Sequence, residues 1–280
     1  MQLGKTLILL VASKRDLASM NITKQLLENY PFEPCEENVK DAQVYAFKKE
    51  EQNIRLVILN KELVYAQNIT DFSPTLELII FLSRHSSEKG IPMLSVHTPG
   101  NFGKADLGGF PKKLSVAPAN AMRTALKTMV QLAKEDNLAY KASYECTHHG
   151  PSLDKPAMFV ELGSTPKQWA DTEAAKVIAH AAMETVKNYG KQEAQTAIGI
   201  GGPHYNEKFT KIALESNIAF GHIIPKYAIP EVDENILRQC IEKTLEKVEL
   251  ALLDWKGIRG EDKQRLVEAL EGLGLKIQKV

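Results

Sequence analysis

Along this 280-residue chain, short β-prone apolar runs repeatedly close on a histidine beside glycine, proline or serine. The fullest instance is residues 140–151, where a strand-like run ends in His148-His149-Gly150-Pro151. The pattern returns at Ser83-Arg84-His85-Ser86-Ser87, Val96-His97-Thr98-Pro99-Gly100-Asn101, Gly201-Gly202-Pro203-His204-Tyr205 and Gly221-His222-Ile223-Ile224-Pro225. Six of the seven histidines thus fall at expected strand ends or in the turns after them. Strand ends are where open α/β sheets bind ligands, so the pattern bears on fold and function together. Successive strand residues point to opposite faces. For His148 and His149 to serve one site the backbone must turn, and Gly150 is the expected place.

Between these closures the chain alternates. Residues 5–12 read as a buried strand, and 17–29 as a helix capped from Ser13 or Asp16 and stopped by Pro31 and Pro34. Residues 43–47 and 54–59 form an expected hairpin across the charged stretch 48–53. Apolar runs at 76–82 and 91–96 lead into His85 and His97. Residues 101–118 are a long Gly-, Lys- and Pro-rich loop, the kind that serves as a lid or a solvated connection. Helices are expected over 118–135, 170–188, 206–216 and 231–255, and strands over 140–147, 157–162, 196–200 and 218–224. Strand–helix alternation from residue 118 argues for an α/β fold with a mixed, largely parallel sheet flanked by helices. Residues 1–256 read as one α/β domain and 257–280 as a short helix–strand unit docked on it.

Basic and acidic residues balance at 35 each, so no overall field draws the chain to DNA or an acidic membrane. The apolar N-terminal run is too short to span a bilayer, and the chain reads as a cytoplasmic monomer. Three scattered cysteines make no disulfide framework and no Cys-x-x-Cys metal pair. Cys146 reads as a small buried hydrophobe beside the site.

Neutral imidazole is the commonest metal ligand. The candidate ligand pool is His85, His97, His148, His149, His204 and His222, with Glu145 and Glu161 as carboxylates. His180 lies within the Ala-rich helix 170–188 and reads as structural. Gly201-Gly202 could offer backbone N–H groups to an anion or simply let the chain turn sharply. Basic residues near these blocks, Arg84 and Lys226 among them, are scattered and alone say little, but beside a hydrolytic site they could grip phosphates. The glycine spacing matches neither the dinucleotide nor the Walker pattern.

Taken in order, these histidine blocks, with Glu145-Cys146-Thr147-His148-His149-Gly150-Pro151 and Phe159-Val160-Glu161-Leu162-Gly163-Ser164-Thr165, resemble the D-aminoacyl-tRNA deacylases of the archaeal and plant type. The resemblance implies a fold like that of the phosphorylase and peptidyl-tRNA hydrolase group. It further implies a hydrolase that cleaves the ester between a D-amino acid and the 3′ end of tRNA, with one zinc ion or two. In that reading Glu145, Glu161 and His149 are the catalytic candidates, and His85, His97, His148, His204 and His222 the ligands. Arg84, Gly201, Gly202 and Lys226 would then hold the substrate. A zinc-dependent amidase or peptidase, or a non-enzymatic metal- or RNA-binding module, are the rival readings of the same histidines.

Overall fold

The computed structural model describes residues 6–35, 42–48, 53–191 and 193–280. The start of the first expected strand at Lys5 and the middle of the hairpin connection, 49–52, lie outside them. The first half of the chain supplies β1 (Leu7–Ser13), α1 (Leu17–Asn29), β2 (Phe32–Pro34), β3 (Ala42–Phe47), β4 (Asn53–Leu59), β5 (Leu76–Ser86) and β6 (Met93–His97). Then come α2 (Ala119–Glu135), β7 (Lys141–Tyr144), β8 (Ala157–Ser164), α3 (Pro166–Trp169) and α4 (Thr172–Asn188). The rest forms β9 (Gln195–Ile200), α5 (Glu207–Glu215), β10 (Ile218–Ile224), α6 (Glu234–Glu242), β11 (Val248–Leu253), α7 (Gly260–Gly272) and β12 (Lys276–Lys279).

Two sheets result. The larger has eight strands in the order β2-β3-β4-β1-β5-β8-β6-β7, the smaller four in the order β10-β9-β11-β12. The smaller is parallel throughout. In the larger, β3 runs against both β2 and β4, and β6 runs against β8. The fold is therefore mixed and largely parallel, with helices packed on the sheets. Central strands are buried on both faces, as parallel strands must be. Leu10, Ile80 and Val160 face the core under α1, α2 and α4, while Leu9, Phe81 and Phe159 face the opposite layer. The rings of Phe81 and Phe159 stack 4.6 Å apart there. The first of these cores continues into Ala197, Phe220 and Leu252 of the smaller sheet, which ties the two sheets together.

Two expectations give way. Residues 231–255 are not one helix: α6 ends at Glu242, and 248–253 form the inner strand β11. A continuous apolar run such as Leu250-Ala251-Leu252-Leu253 fits a buried strand as well as a helix, and periodicity alone does not separate them. The chain is turned at 243–245 by hydrogen bonds with residue 117, Ala117 N to Lys243 O at 2.7 Å and Leu245 N to Ala117 O at 2.9 Å. The strand expected over 140–147 stops at Tyr144, for reasons given below.

That turn has a further use. The first residues of α2 have no capping side chain of their own. Glu246 supplies it from a distance, its two carboxylate oxygens each accepting an N–H, from Ala119 and Asn120, at 2.9 Å. A carboxylate at a helix N-terminus satisfies free donors and complements the dipole. Glu246→Ala is expected to lower stability by about 1–2 kcal/mol. Urea unfolding measures this, and a change below a few tenths would remove the capping role.

Candidate active site at the junction of the two sheets

The site is made by a stretch of backbone that changes sheets. Glu145 N donates to Val96 O of β6 at 3.1 Å, Cys146 N to His204 O at 2.9 Å, and Thr147 N to Ile223 O of β10 at 3.0 Å. After Tyr144 the chain thus leaves the larger sheet and pairs with the smaller, which is why β7 is short. His149 then adopts φ of 42°, a left-handed conformation uncommon for a residue with a Cβ. The turn therefore falls on His149 itself, one residue before the expected Gly150. It breaks the alternation of faces and lets His148 and His149 approach a common point, their ring centroids 4.3 Å apart.

Around that point the structure gathers His97, His148 and His149, whose ligand atoms lie within 4.8 Å of one another. Each Nδ1 of these three is turned to a backbone carbonyl: His148 to Cys146 O at 2.8 Å, His149 to Gly150 O at 2.7 Å, His97 to Thr98 O at 3.3 Å. A ring that donates from Nδ1 keeps its Nε2 lone pair free. His97 Nε2 is buried with no hydrogen-bond partner. Two overlapping groups could also hold a metal, Cys146 with His148 and His204, and His85 with Glu145 and Glu161.

The carboxylates knit the cluster together. Glu145 Oε2 accepts from His204 Nε2 at 2.9 Å and lies 3.7 Å from His148 Nε2. Its Oε1 lies 3.1 Å from His85 Nδ1. Glu161 stands 3.7 Å from both His85 Nδ1 and His97 Nε2. Burial alone would raise the Glu145 and Glu161 carboxyls, but histidines beside them hold both below their ordinary value, Glu145 well below. Burial would lower His85, yet Glu145 and Glu161 lift it to about 10. His204 likewise overcomes burial through Cys146 and Glu145 and reaches about 10. For His149, burial and then the charge of His97 outweigh the opposing pull of Glu161, the Gly150 carbonyl and Glu145 and bring it down to about 4, and burial with the neighbouring histidines likewise holds His148 well below its ordinary value. Charge is thus favoured on the carboxylates, His85 and His204 and disfavoured on His148 and His149.

Of the residues singled out from sequence, His85, His97, His148, His149, His204, Glu145 and Glu161 come together. His85, His148, His149, His204 and both glutamates line one cavity of about 370 Å³, with Arg84 at its rim. The Arg84 guanidinium is held 3.1 Å from Glu62 and sits over the Trp169 ring. Glu161 lies inside β8 rather than at its end. His222 stands apart, within β10 and not beyond it. Both its ring nitrogens are engaged, Nδ1 with Thr147 Oγ1 and Nε2 with Lys243 O, each at 3.1 Å, and burial pulls its pKa down to about 4. Its geometry is that of a strut beneath the 145–147 crossing. Gly201, Gly202 and Lys226 are not among the residues lining the cavity. Gly202, at φ of 77°, turns against Asn206, whose side chain a Cβ would meet at 2.8 Å, and its carbonyl accepts from Lys226 N at 2.9 Å.

Two tyrosines escaped sequence reasoning, and two residues read otherwise, Asp16 as a helix cap and Cys146 as a small buried hydrophobe, have a further place in the site. Tyr205 OH bonds His85 Nε2 at 3.0 Å, and Tyr227 OH bonds His204 Nδ1 at 3.0 Å. Asp16 accepts from Ser19 N at 3.0 Å and Arg84 N at 2.8 Å, so a helix cap also anchors the end of β5. Cys146, read as a buried hydrophobe, places its Sγ 3.1 Å from His204 Nδ1. Tyr205 directly follows the site histidine His204, which was the available signal for it; Tyr227 follows only the strut His222.

No helix among the described residues is long and apolar enough to cross a membrane. A family model described as D-aminoacyl-tRNA deacylase matches residues 72–278. The D-aminoacyl-tRNA deacylase of Pyrococcus furiosus is 40% identical over 278 residues, covering 96% of this chain and 98% of its own length. That of Thermococcus kodakarensis is 38% identical over 273 residues, covering 95% and 97%. A crystal structure of a conserved protein of unknown function superposes with a TM-score of 0.89 at 30% identity, covering 99% of this chain and 95% of the other. Strand-end histidines, a mixed α/β fold and near full-length similarity converge on one conclusion: the chain belongs to the D-aminoacyl-tRNA deacylase family, hydrolases of aminoacyl-tRNA.

Proposed function

We propose that this protein hydrolyses the ester of D-aminoacyl-tRNA with a zinc ion held by His97, His148 and His149. One observation carries the reading: three histidines converge while each Nδ1 is pinned to a carbonyl, leaving the outer nitrogens without other work. Carbonyl-oriented imidazoles are the usual support of a zinc site, and three protein ligands leave a position for water. The buried, unpartnered Nε2 of His97 fits such a donor set, since an orphaned buried acceptor is otherwise costly. Bound zinc supplies a water acidified to near neutrality and a Lewis acid for the ester carbonyl.

The remaining work falls to the chain. Glu145, ionised and 3.7 Å from His148 Nε2, is the proton acceptor for the attacking water. His204, hydrogen-bonded to Glu145, is placed to return a proton to the departing ribose oxygen. Glu161 fixes His85 and His97. His85, His97, Glu145 and Glu161 are buried, which keeps bulk water from their contacts, while His148 and His204 stay partly exposed toward the cavity.

Glu145→Gln tests the assignment. It preserves shape but removes the basic carboxylate, so kcat on D-tyrosyl-tRNA should fall by about 10²–10⁴-fold. Zinc content should remain that of the parent protein. A variant that keeps its zinc and its kcat would transfer the role to Glu161, for which Glu161→Gln is the matching measurement.

A further inference from the structure

The catalytic cavity is not closed on itself. A second cavity of about 210 Å³ shares His85 and Tyr205 with it and is lined further by Ile91, Met93 and Lys89. A third, about 370 Å³, shares Tyr205, Met93 and Lys141 with the second and reaches Lys211 on α5. Tyr205 lines all three, so they are neighbours around one side chain. In the other direction the catalytic cavity continues through Leu107, His148 and His149 into a cleft of about 520 Å³ under residues 100–107.

The two arms differ in charge. Three lysines, Lys89, Lys141 and Lys211, meet two glutamates, Glu207 and Glu215, in the second and third cavities beside Tyr205. The opposite cleft has Lys104 against Asp106 and Glu231. Beside Tyr205, Lys141 pairs with Glu207 at 3.7 Å and Lys211 with Glu215 at 4.0 Å, both among exposed side chains. Exposed pairs of this kind contribute little, and a phosphate can displace the carboxylate. Between the lysines the lining is apolar, with Ile91 42% exposed. Lysines that track a backbone, interleaved with aromatic and apolar faces for bases, are what a single-stranded nucleic acid requires.

We propose that these neighbouring cavities act as one groove, from Tyr205 past Met93 to Lys211, that holds the single-stranded 3′ end of the RNA substrate, and that the amino-acid side chain extends into the cleft under residues 100–107. This deepens the deacylase reading and rests on it for the identity of the reacting ester. An open cleft on the amino-acid side would accept side chains of many sizes, while the RNA arm supplies the common grip.

The test is binding by the full-length, zinc-loaded protein carrying Lys89→Glu, Lys141→Glu and Lys211→Glu together. The probes are an uncharged tRNA and the same tRNA shortened by its last four nucleotides. The variant should bind intact tRNA about 10- to 100-fold more weakly at low salt, with the slope of log K against log salt reduced by about two. It should bind the shortened tRNA as the parent protein does. Lys127→Glu, on α2 in a separate cleft, should leave both affinities unchanged. The triple Lys→Gln variant should shift intact tRNA in the same direction by less, which covers the case of a misfolded triple glutamate. Equal affinity for intact tRNA, or equal losses on both RNAs, would overturn the groove assignment. A parent protein that grips the 3′ end through these lysines yet cleaves no D-tyrosyl-tRNA would overturn the deacylase mechanism and leave the groove standing.

Discussion

Alanine at His97, His148 or His149 is expected to strip the protein of zinc and to cut D-tyrosyl-tRNA hydrolysis by about 10³-fold or more. The three side chains act as a unit: their ligand atoms lie within 4.8 Å of one another and each Nδ1 is turned to a carbonyl, while His148 alone also belongs to the group with Cys146 and His204. Chelator treatment of the parent protein should reproduce the loss, and added zinc should restore it in the parent but not in the variants. Hydrolysis of D- and L-tyrosyl-tRNA, measured beside zinc content, separates ligand loss from unfolding. His222→Gln is the informative contrast, because His222 is buried against Thr147 and Lys243 and touches no other candidate ligand. It should lower stability while zinc stoichiometry stays that of the parent. If His148→Ala keeps both zinc and turnover, the three-histidine centre is wrong.

The second large effect comes from a single methyl group. A Cβ on Gly150 would stand 2.2 Å from Gly109 N, 2.3 Å from Gly108 C and 2.6 Å from Val64 O. All three are backbone atoms, from two separate segments, so no side chain can swing aside to make room. Gly150 N also donates to Leu107 O at 2.9 Å, and its carbonyl receives the His149 ring. Gly150→Ala must therefore push the 101–118 loop off the site and loosen His149 at once. Overpacking of this kind costs about 3 kcal/mol, roughly a 5 °C fall in melting temperature for a chain of this size. Activity should fall further than stability explains, because Leu107 is part of the cavity wall. Gly260→Ala, where a Cβ meets nothing within 4 Å, is the control and should be close to neutral. A Gly150→Ala protein with the parent's melting temperature would show that the loop yields more easily than its contacts imply.

Much of this was legible in the sequence because strand-end chemistry is local. His-His-Gly-Pro, the apolar run into His97 and the cap at Asp16 each announce themselves within a few residues. What was not legible depends on partners far along the chain. Leu250 to Leu253 reads as helix or strand until β9 and β12 are known to flank it. His222 looks like any other histidine between a glycine and a proline until Thr147 and Lys243 are seen to occupy both its nitrogens. Tyr205 and Cys146 lie inside the histidine blocks, but what they and Tyr227 touch comes only from the meeting of two sheets. That the sheets are two was itself hidden, since each strand taken singly has the same apolar signature.

The crossing at residues 145–147 has a consequence for the life of the chain before it is finished. Glu145, Cys146 and Thr147 take their hydrogen-bond partners from β6, from His204 and from β10 in turn. During synthesis the histidines at 85, 97, 148 and 149 emerge long before residues 204 and 223 can join them, and domains fold largely as units. A nascent polypeptide thus lacks the acceptor that orders Cys146 and the imidazole that holds Glu145. On the proposed mechanism, the full set of contacts around Glu145 and Cys146 is complete only once residues 204 and 223 have joined them.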